Sequence, residues 1–298
     1  MFANRLKKFL PSIISKHQST FTKNRLITDN ILVAYESLHY MNNIRTGKTG
    51  YMTVKLDMSK VYDRVEWVYL DNVMRKMGFR EKWIGLIMVC IKMVTYSIIV
   101  NGEPQGLIQP TKGIGQGDPL SPFLFLLCME GLHKLIQQSK RMGELKGLSI
   151  SWNDPQLTHL LLFAEDSLLF CRATIEEYRK IMEILEIYEE GSGQKVNKNK
   201  TAIFFSKSTP EGTKDEIKEA LSLQEIVHYD KYLRLPSLVG RKKKGEFQFY
   251  QAKSVVEIIR LGRKAFISSG AGDIDKGYHS GYSNICYGVL QNSVGTLP

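Results

Sequence analysis

The sequence is poor in cysteine and has none in close pairs. Four cysteines, Cys90, Cys128, Cys171 and Cys286, are scattered through 298 residues with no CxxC. This spacing argues against a disulfide framework or a cysteine zinc site. It predicts reduced core residues with no disulfide partner, in an intracellular protein of the cytoplasm or nucleus. Long apolar runs are also missing. The longest, PFLFLLCM, falls far short of the roughly 20 residues that span a bilayer, so no membrane partner is expected. Acidic residues are the minority, 30 Asp and Glu against 41 Lys and Arg, giving a formal net charge of +11. The first 26 residues carry six basic side chains and no acidic one. Such a field attracts polyanions, nucleic acid ahead of anionic lipid. With 43% hydrophobic and 24% charged residues, the chain has the composition of a folded protein of one large domain or two modest ones.

The elements alternate along the chain. Residues 1–43 read as short helices with basic loops, the second with Ile27, Ile31, Ala34, Tyr35 and Leu38 on one stripe. YMTVKLD alternates, placing Met52, Val54 and Leu56 on one face and Thr53, Lys55 and Asp57 on the other, a strand ending in a carboxylate. A helix capped by Asp63, with Glu66 three residues on, should follow and close near Gly78. Next come a helix over 81–94, a hairpin over 95–109 turning at Asn101-Gly102, a Gly/Pro loop PTKGIGQGDPLSP and an apolar helix over 120–139. THLLLFAEDSLLFCR, residues 158–172, reads as a hairpin. A helix from Thr174 to Glu190, the loop GSGQKVNKNK, the strand TAIFFS, a helix over 213–221 and the short segment YLRLPS complete an α+β order. Beyond RKKKG at 241–245 one more helix should reach Arg260. Residues 262–298, with seven glycines and little periodicity, are expected to be weakly ordered.

The acidic doublet Glu165-Asp166 admits two readings on its own residues. Asp between two hydrophobic runs is ordinary turn chemistry. Alternatively, Asp57 at a strand end and Glu165-Asp166 at a hairpin tip could meet at one sheet edge. Carboxylates so gathered would repel one another unless cations neutralised them, and their hard oxygens suit Mg²⁺. Two such ions about 4 Å apart clamp the attacking and leaving oxygens of a phosphoryl transfer.

Seven segments in order carry a family resemblance: QSTFTKNRLITDN, YMTVKLDMSKVYDRVEW, NGEP, KGIGQGDPLSPFLF, HLLLFAEDSLLF, GSGQKVNKNKTAIFFS and YLRLPSLVGRKKK. Together they resemble the reverse transcriptase domain of plant-type non-LTR (LINE) retrotransposons, over roughly residues 3–250. The resemblance implies a right-hand polymerase of α+β class, an RNA-directed DNA polymerase extending a DNA primer on an RNA template with deoxynucleoside triphosphates. Its antiparallel palm sheet would pack on helices. Residues 1–50 would be partial fingers, 51–240 the palm with the remaining fingers elements, and 241–298 a degenerate thumb-like segment.

The same resemblance assigns roles. Asp57, Glu165 and Asp166 would be the catalytic residues holding two Mg²⁺ ions, with Mn²⁺ a possible substitute. Tyr62 would place its ring beneath the sugar and exclude a 2′-hydroxyl. Gln116 and Gly117 would meet the incoming nucleotide, while Asp118, Pro119 and Ser121 fix the turn into the helix. Lys200 would act on the leaving pyrophosphate. Arg25, with Lys23 beside it, would meet phosphate, a guanidinium being able to bind it bidentately. Tyr232 and Leu233 would grip the primer, and Arg241 and Lys242 would contact the heteroduplex backbone. Asp63 keeps its capping reading.

The sequence also departs from the family pattern. The doublet is ordinarily Asp-Asp; Glu165 carries its carboxylate one bond further, roughly 1.5 Å. Mg²⁺ demands near-octahedral geometry, and about 1 Å of misplacement can cost on the order of 10²-fold in rate. The expectation is an intact fold with crippled catalysis. Gly115 stands where the family has Arg, and Arg234 where it has the Gly of YLGLP. With no recognisable upstream fingers motif, endonuclease or RNase H sequence, a truncated element copy is expected. The alternatives are a catalytically inactive RNA-binding relic and a product with no role.

Overall fold

The computed structural model describes residues 2–15, 18, 22, 25, 27–45, 49–149, 157–161, 166–221 and 224–225. A five-stranded sheet runs in the order β4(His159–Leu161), β5(Asp166–Arg172), β1(Tyr51–Asp57), β6(Ala202–Phe205), β7(Gln224–Glu225). The first three pairings are antiparallel. The edge pair β6 and β7 is parallel, which corrects the expected all-antiparallel sheet. Helices α1(Phe2–Ile13), α2(Ile27–Asn43), α3(Trp67–Lys76), α4(Glu81–Lys92), α5(Ser121–Arg141), α6(Ile175–Ser192) and α7(Glu211–Leu221) accompany it, so the class is α+β.

Period-two alternation in β1 builds two cores from one strand. Met52, Val54 and Leu56 join the larger core with Leu169, Cys171 and Ile203, against α3, α5 and α6. The opposite face forms a smaller core, in which Leu168, Phe170 and Phe204 pack with Ala34, Leu38 and Met41 of α2. Thr53, on that second face, is fully buried and its hydroxyl reaches Met41 Sδ at 3.1 Å. β1 is therefore covered on both sides, and only its ends are open to chemistry.

The 95–109 hairpin forms as expected, as β2(Tyr96–Val100) and β3(Glu103–Ile108). Asn101 (φ 51°) and Gly102 (φ 87°) both take the left-handed conformation that a tight two-residue turn requires. Every residue of this two-stranded ribbon is exposed. The α6 start also follows the sequence: Thr174 caps it, accepting from Glu177 N at 3.3 Å. The Glu177 carboxylate in turn accepts from Arg172 N and Lys146 N at 3.0 and 3.1 Å, and burial pushes its pKa up.

The sequence misled on two local points. Asp63 does not cap α3; that helix starts at Trp67, with Glu66 at its N-cap position and no side-chain cap bond. Residues 58–66 form a turn whose backbone groups bond to distant chain instead, with Ser59 N donating to Lys195 O and Glu66 N to Ser192 O. Cys90 is not a core residue but lies exposed on α4, whereas Cys128 and Cys171 are buried. The helix expected up to Arg260 and the segment 262–298 lie outside the described residues.

Candidate active site at the end of the central strand

Asp57 is the last residue of β1 and Asp166 the first of β5, and the two are direct cross-strand partners. Partners in an antiparallel pair stand about 4.5–5.5 Å apart at Cα. The register thus brings two of the three expected carboxylate residues side by side at the sheet edge. Only the backbone of Asp166 is described, and Glu165 lies outside the described residues. Among the described residues, no three His, Cys, Asp or Glu gather as a metal site.

The loop after α6 wraps the same strand end. Asn197 N donates to Asp57 O at 2.8 Å, and a tight turn over 197–201 follows, with Lys200 N and Thr201 N both donating to Asn197 O. This turn places Lys200 Nζ 3.9 Å from Asp57 Oδ2. The Lys200 side chain is 68% exposed and the Asp57 side chain 16%, so the lysine lies over the carboxylate from the solvent side.

Tyr62 sits in the turn after β1, half-buried, with its ring 5.5 Å from that of Phe125 on α5. Both sides of this turn are latched. Ile114 N donates to Tyr62 O, and Gly113 N to Val65 O, each at 2.8 Å. Trp67 Nε1 returns a bond to Gly113 O at 2.6 Å. Gly113 needs to be glycine: its φ is +89°, and a Cβ there would meet Asp63 O at 3.0 Å.

From this latch the chain rises into Gln116 and Gly117, both exposed. Gly117 has φ +95°, and a Cβ placed there would meet nothing within 4 Å, so its backbone is approachable. Gly115, at φ +72°, stands close to the Tyr96 hydroxyl. The turn into α5 is fixed as the sequence suggested. Asp118 Oδ1 accepts from Leu120 N at 2.6 Å, and the Ser121 hydroxyl donates to Ile114 O.

Arg25 takes a different place from the one its sequence suggested. Its guanidinium donates to four carbonyls, two at the end of α1, Pro11 O and Ile14 O at 3.2 Å each, and two in the chain after it, Ser15 O and Gln18 O at 2.5 and 2.6 Å. Pro11 O and Ile14 O are among the acceptors left unpaired at the helix C-terminus, where a cation also complements the dipole, and Ser15 O and Gln18 O belong to the chain that follows. Burial lowers the Arg25 pKa, and Glu130 opposes the shift. Glu130, buried on α5, accepts from Ser15 N at 3.0 Å and ties the same corner. Lys23, Tyr232, Leu233, Arg234, Arg241 and Lys242 lie outside the described residues.

Sequence reasoning passed over Gln194, in the GSGQKV loop. It is fully buried, and its Nε2 donates to Val61 O at 2.9 Å. The available signal was an amide side chain set directly after a glycine stop to a helix.

The family described as reverse transcriptase (RNA-dependent DNA polymerase) matches residues 1–247. An uncharacterized mitochondrial protein of Arabidopsis thaliana is 51% identical over 69 residues, 23% of this chain and 56% of that protein. The transposon TX1 uncharacterized 149 kDa protein of Xenopus laevis is 26% identical over 198 residues, 66% of this chain and 14% of that protein. A retrovirus-related Pol polyprotein from the type-1 retrotransposable element R2 of Popillia japonica is 33% identical over 94 residues, 32% of this chain and 16% of that protein. The chain thus spans just over half of the first relative and under a fifth of the other two.

Proposed function

The chain belongs to the reverse transcriptase family as a non-LTR retrotransposon domain, and we propose that it extends a DNA primer on an RNA template by two-metal-ion nucleotidyl transfer, slowed by Glu165. The observation that carries this reading is the register pairing of Asp57 with Asp166 at the open end of a strand buried on both faces. That strand would be the centre of the palm, with α1 and α2 belonging to the fingers side.

The donor set fits Mg²⁺. Asp57 offers carboxylate oxygens whose one ion pair among the described residues is the long contact to Lys200, and its strand partner is a second aspartate. Asp57, Glu165 and Asp166 would hold the ions, which when bound supply positive charge to the attacking and leaving oxygens. The exposed backbone of Gln116 and Gly117 gives a base pair room to approach, and the Gln116 amide can hydrogen-bond near sugar and phosphate. Tyr62 sets its ring beneath the sugar. Lys200, mobile on its stem, steadies or protonates the departing pyrophosphate. Tyr232, Leu233, Arg241 and Lys242 complete the primer and template contacts in this reading, and the setting is cytoplasmic or nuclear.

Primer extension on an RNA template tests the proposal, with the unaltered chain and Glu165→Asp compared in Mg²⁺ and in Mn²⁺. Glu165→Asp should raise synthesis in Mg²⁺, and Mn²⁺ should partly rescue the unaltered chain. Robust Mg²⁺-dependent synthesis by the unaltered chain refutes the impairment. Absence of synthesis from both proteins under both metals favours the second reading, an RNA-binding relic, which the net charge of +11 supports.

A further inference from the structure

Two peptide units flank Tyr62, and each is held by a hydrogen bond from elsewhere in the chain. The unit after Tyr62 is fixed by backbone, Ile114 N donating to Tyr62 O. The unit before it is fixed by a side chain, Gln194 Nε2 donating to Val61 O at 2.9 Å. A peptide plane fixes the torsions of the residues on either side, so these two bonds together set the direction in which the Tyr62 ring leaves the turn. Only one of them depends on a side chain.

The anchor behind Gln194 is rigid. Its own N–H donates to Ser192 Oγ at 3.1 Å, and that hydroxyl donates to Tyr188 O on the last turn of α6. Gly193, at φ +75°, lies so close to Arg64 O that a Cβ would come within 2.5 Å of it. Glu66 N, Ser59 N and Asn197 N bond across the same seam to Ser192 O, Lys195 O and Asp57 O. The loop after α6 and the turn after β1 are therefore bonded to each other along their length.

The amide has one use at this place. Gln194 Oε1 is buried and accepts no hydrogen bond among the described residues, whereas Nε2 holds the Val61 carbonyl. An apolar side chain of the same length would fill the site but would leave that carbonyl unheld.

We infer that Gln194 is the positioning residue for Tyr62, aiming the ring and thereby setting the chain's preference for deoxynucleotides over ribonucleotides. The inference rests on the proposed reading of Tyr62 as the ring beneath the sugar. Gln194 touches no substrate; it acts through the peptide it holds.

The test is equilibrium binding of dATP and of ATP, in Mg²⁺, to the full chain on an RNA template with a DNA primer ended in a 3′-dideoxynucleotide. No turnover is needed. The unaltered chain should prefer dATP, and Tyr62→Ala should lose the preference. Gln194→Met, which removes the donor at constant length, and Gln194→Asn, which withdraws it by about 1.5 Å, should each lower the preference by about threefold or more. Their affinity for dATP should stay close to that of the unaltered chain, and the thermal midpoint should fall in both, since the buried Val61 carbonyl loses its partner. Gln194→Asn also answers the question should Gln194→Met fail to fold. Full preference in both Gln194 variants beside its loss in Tyr62→Ala overturns the inference alone. Unchanged preference in Tyr62→Ala, or no preference in the unaltered chain, overturns the reading of Tyr62 and the inference with it.

Discussion

Lys200 Nζ lies 3.9 Å from Asp57 Oδ2, joining a tight turn after α6 to the last residue of the central strand. The distance is that of a loose ion pair rather than a hydrogen bond, and the lysine is mostly in water. Such a contact is worth little to the fold and leaves the lysine free to follow an anionic ligand.

Lys200→Met should therefore separate stability from chemistry. Its unfolding free energy should change by no more than about 0.5 kcal/mol. Single-nucleotide incorporation in a Glu165→Asp background should fall by about tenfold or more. Denaturant titration and rapid-quench assays read the two quantities, and a large stability loss with unchanged incorporation would sink the assignment.

Arg25 should behave in the opposite way. Its guanidinium satisfies four carbonyls at the end of α1 and in the chain after it, a geometry that an ammonium reproduces poorly. Arg25→Lys should cost about 1–3 kcal/mol and speed hydrogen exchange in α1. Unchanged stability with weakened nucleotide binding would return Arg25 to the phosphate role that its sequence context suggests.

Glu36 gives the chain a pH dependence. It is buried on α2, and burial raises its pKa from 4.5 to about 7. The folded state then binds this proton more tightly than the unfolded chain does. Its contribution is complete below about pH 4.5 and is lost as pH rises through about 7. Glu36→Gln should raise the thermal midpoint at pH 8, by up to about 3 kcal/mol in free energy, and change little at pH 4.5. A midpoint at pH 8 that does not rise in the variant would count against this assignment.

Much of the scaffold could be read from local pattern. The alternation of YMTVKLD gives β1, and Asn101-Gly102 gives the hairpin because few other dipeptides accept two left-handed residues in a row. Thr174 and Glu177 announce the start of α6. The misses share one cause, partners far away in sequence. Asp63 and Glu66 have the spacing of a capping box, but the backbone around them is bonded to residues 113–114 and 192–195. Arg25 is legible as a cation, but not the carbonyls that the end of α1 and the chain after it bring to its guanidinium. Gln194 looks like loop polarity until Val61 lies against it. Asp57 was legible because it stands at a strand end, whereas its pairing with Asp166 depends on a register that only the folded sheet sets.

That register also bears on how copies of such a sequence age. A slip of one residue between β1 and β5 would turn Met52, Val54 and Leu56 out of the larger core, so the apolar residues that keep the sheet also keep Asp57 opposite Asp166. Drift at the sheet edge can silence synthesis while the sheet endures, but drift in the sheet cannot spare the edge. Among diverging copies, side chains at the strand ends should vary before the apolar residues of the sheet do, because the latter hold the register.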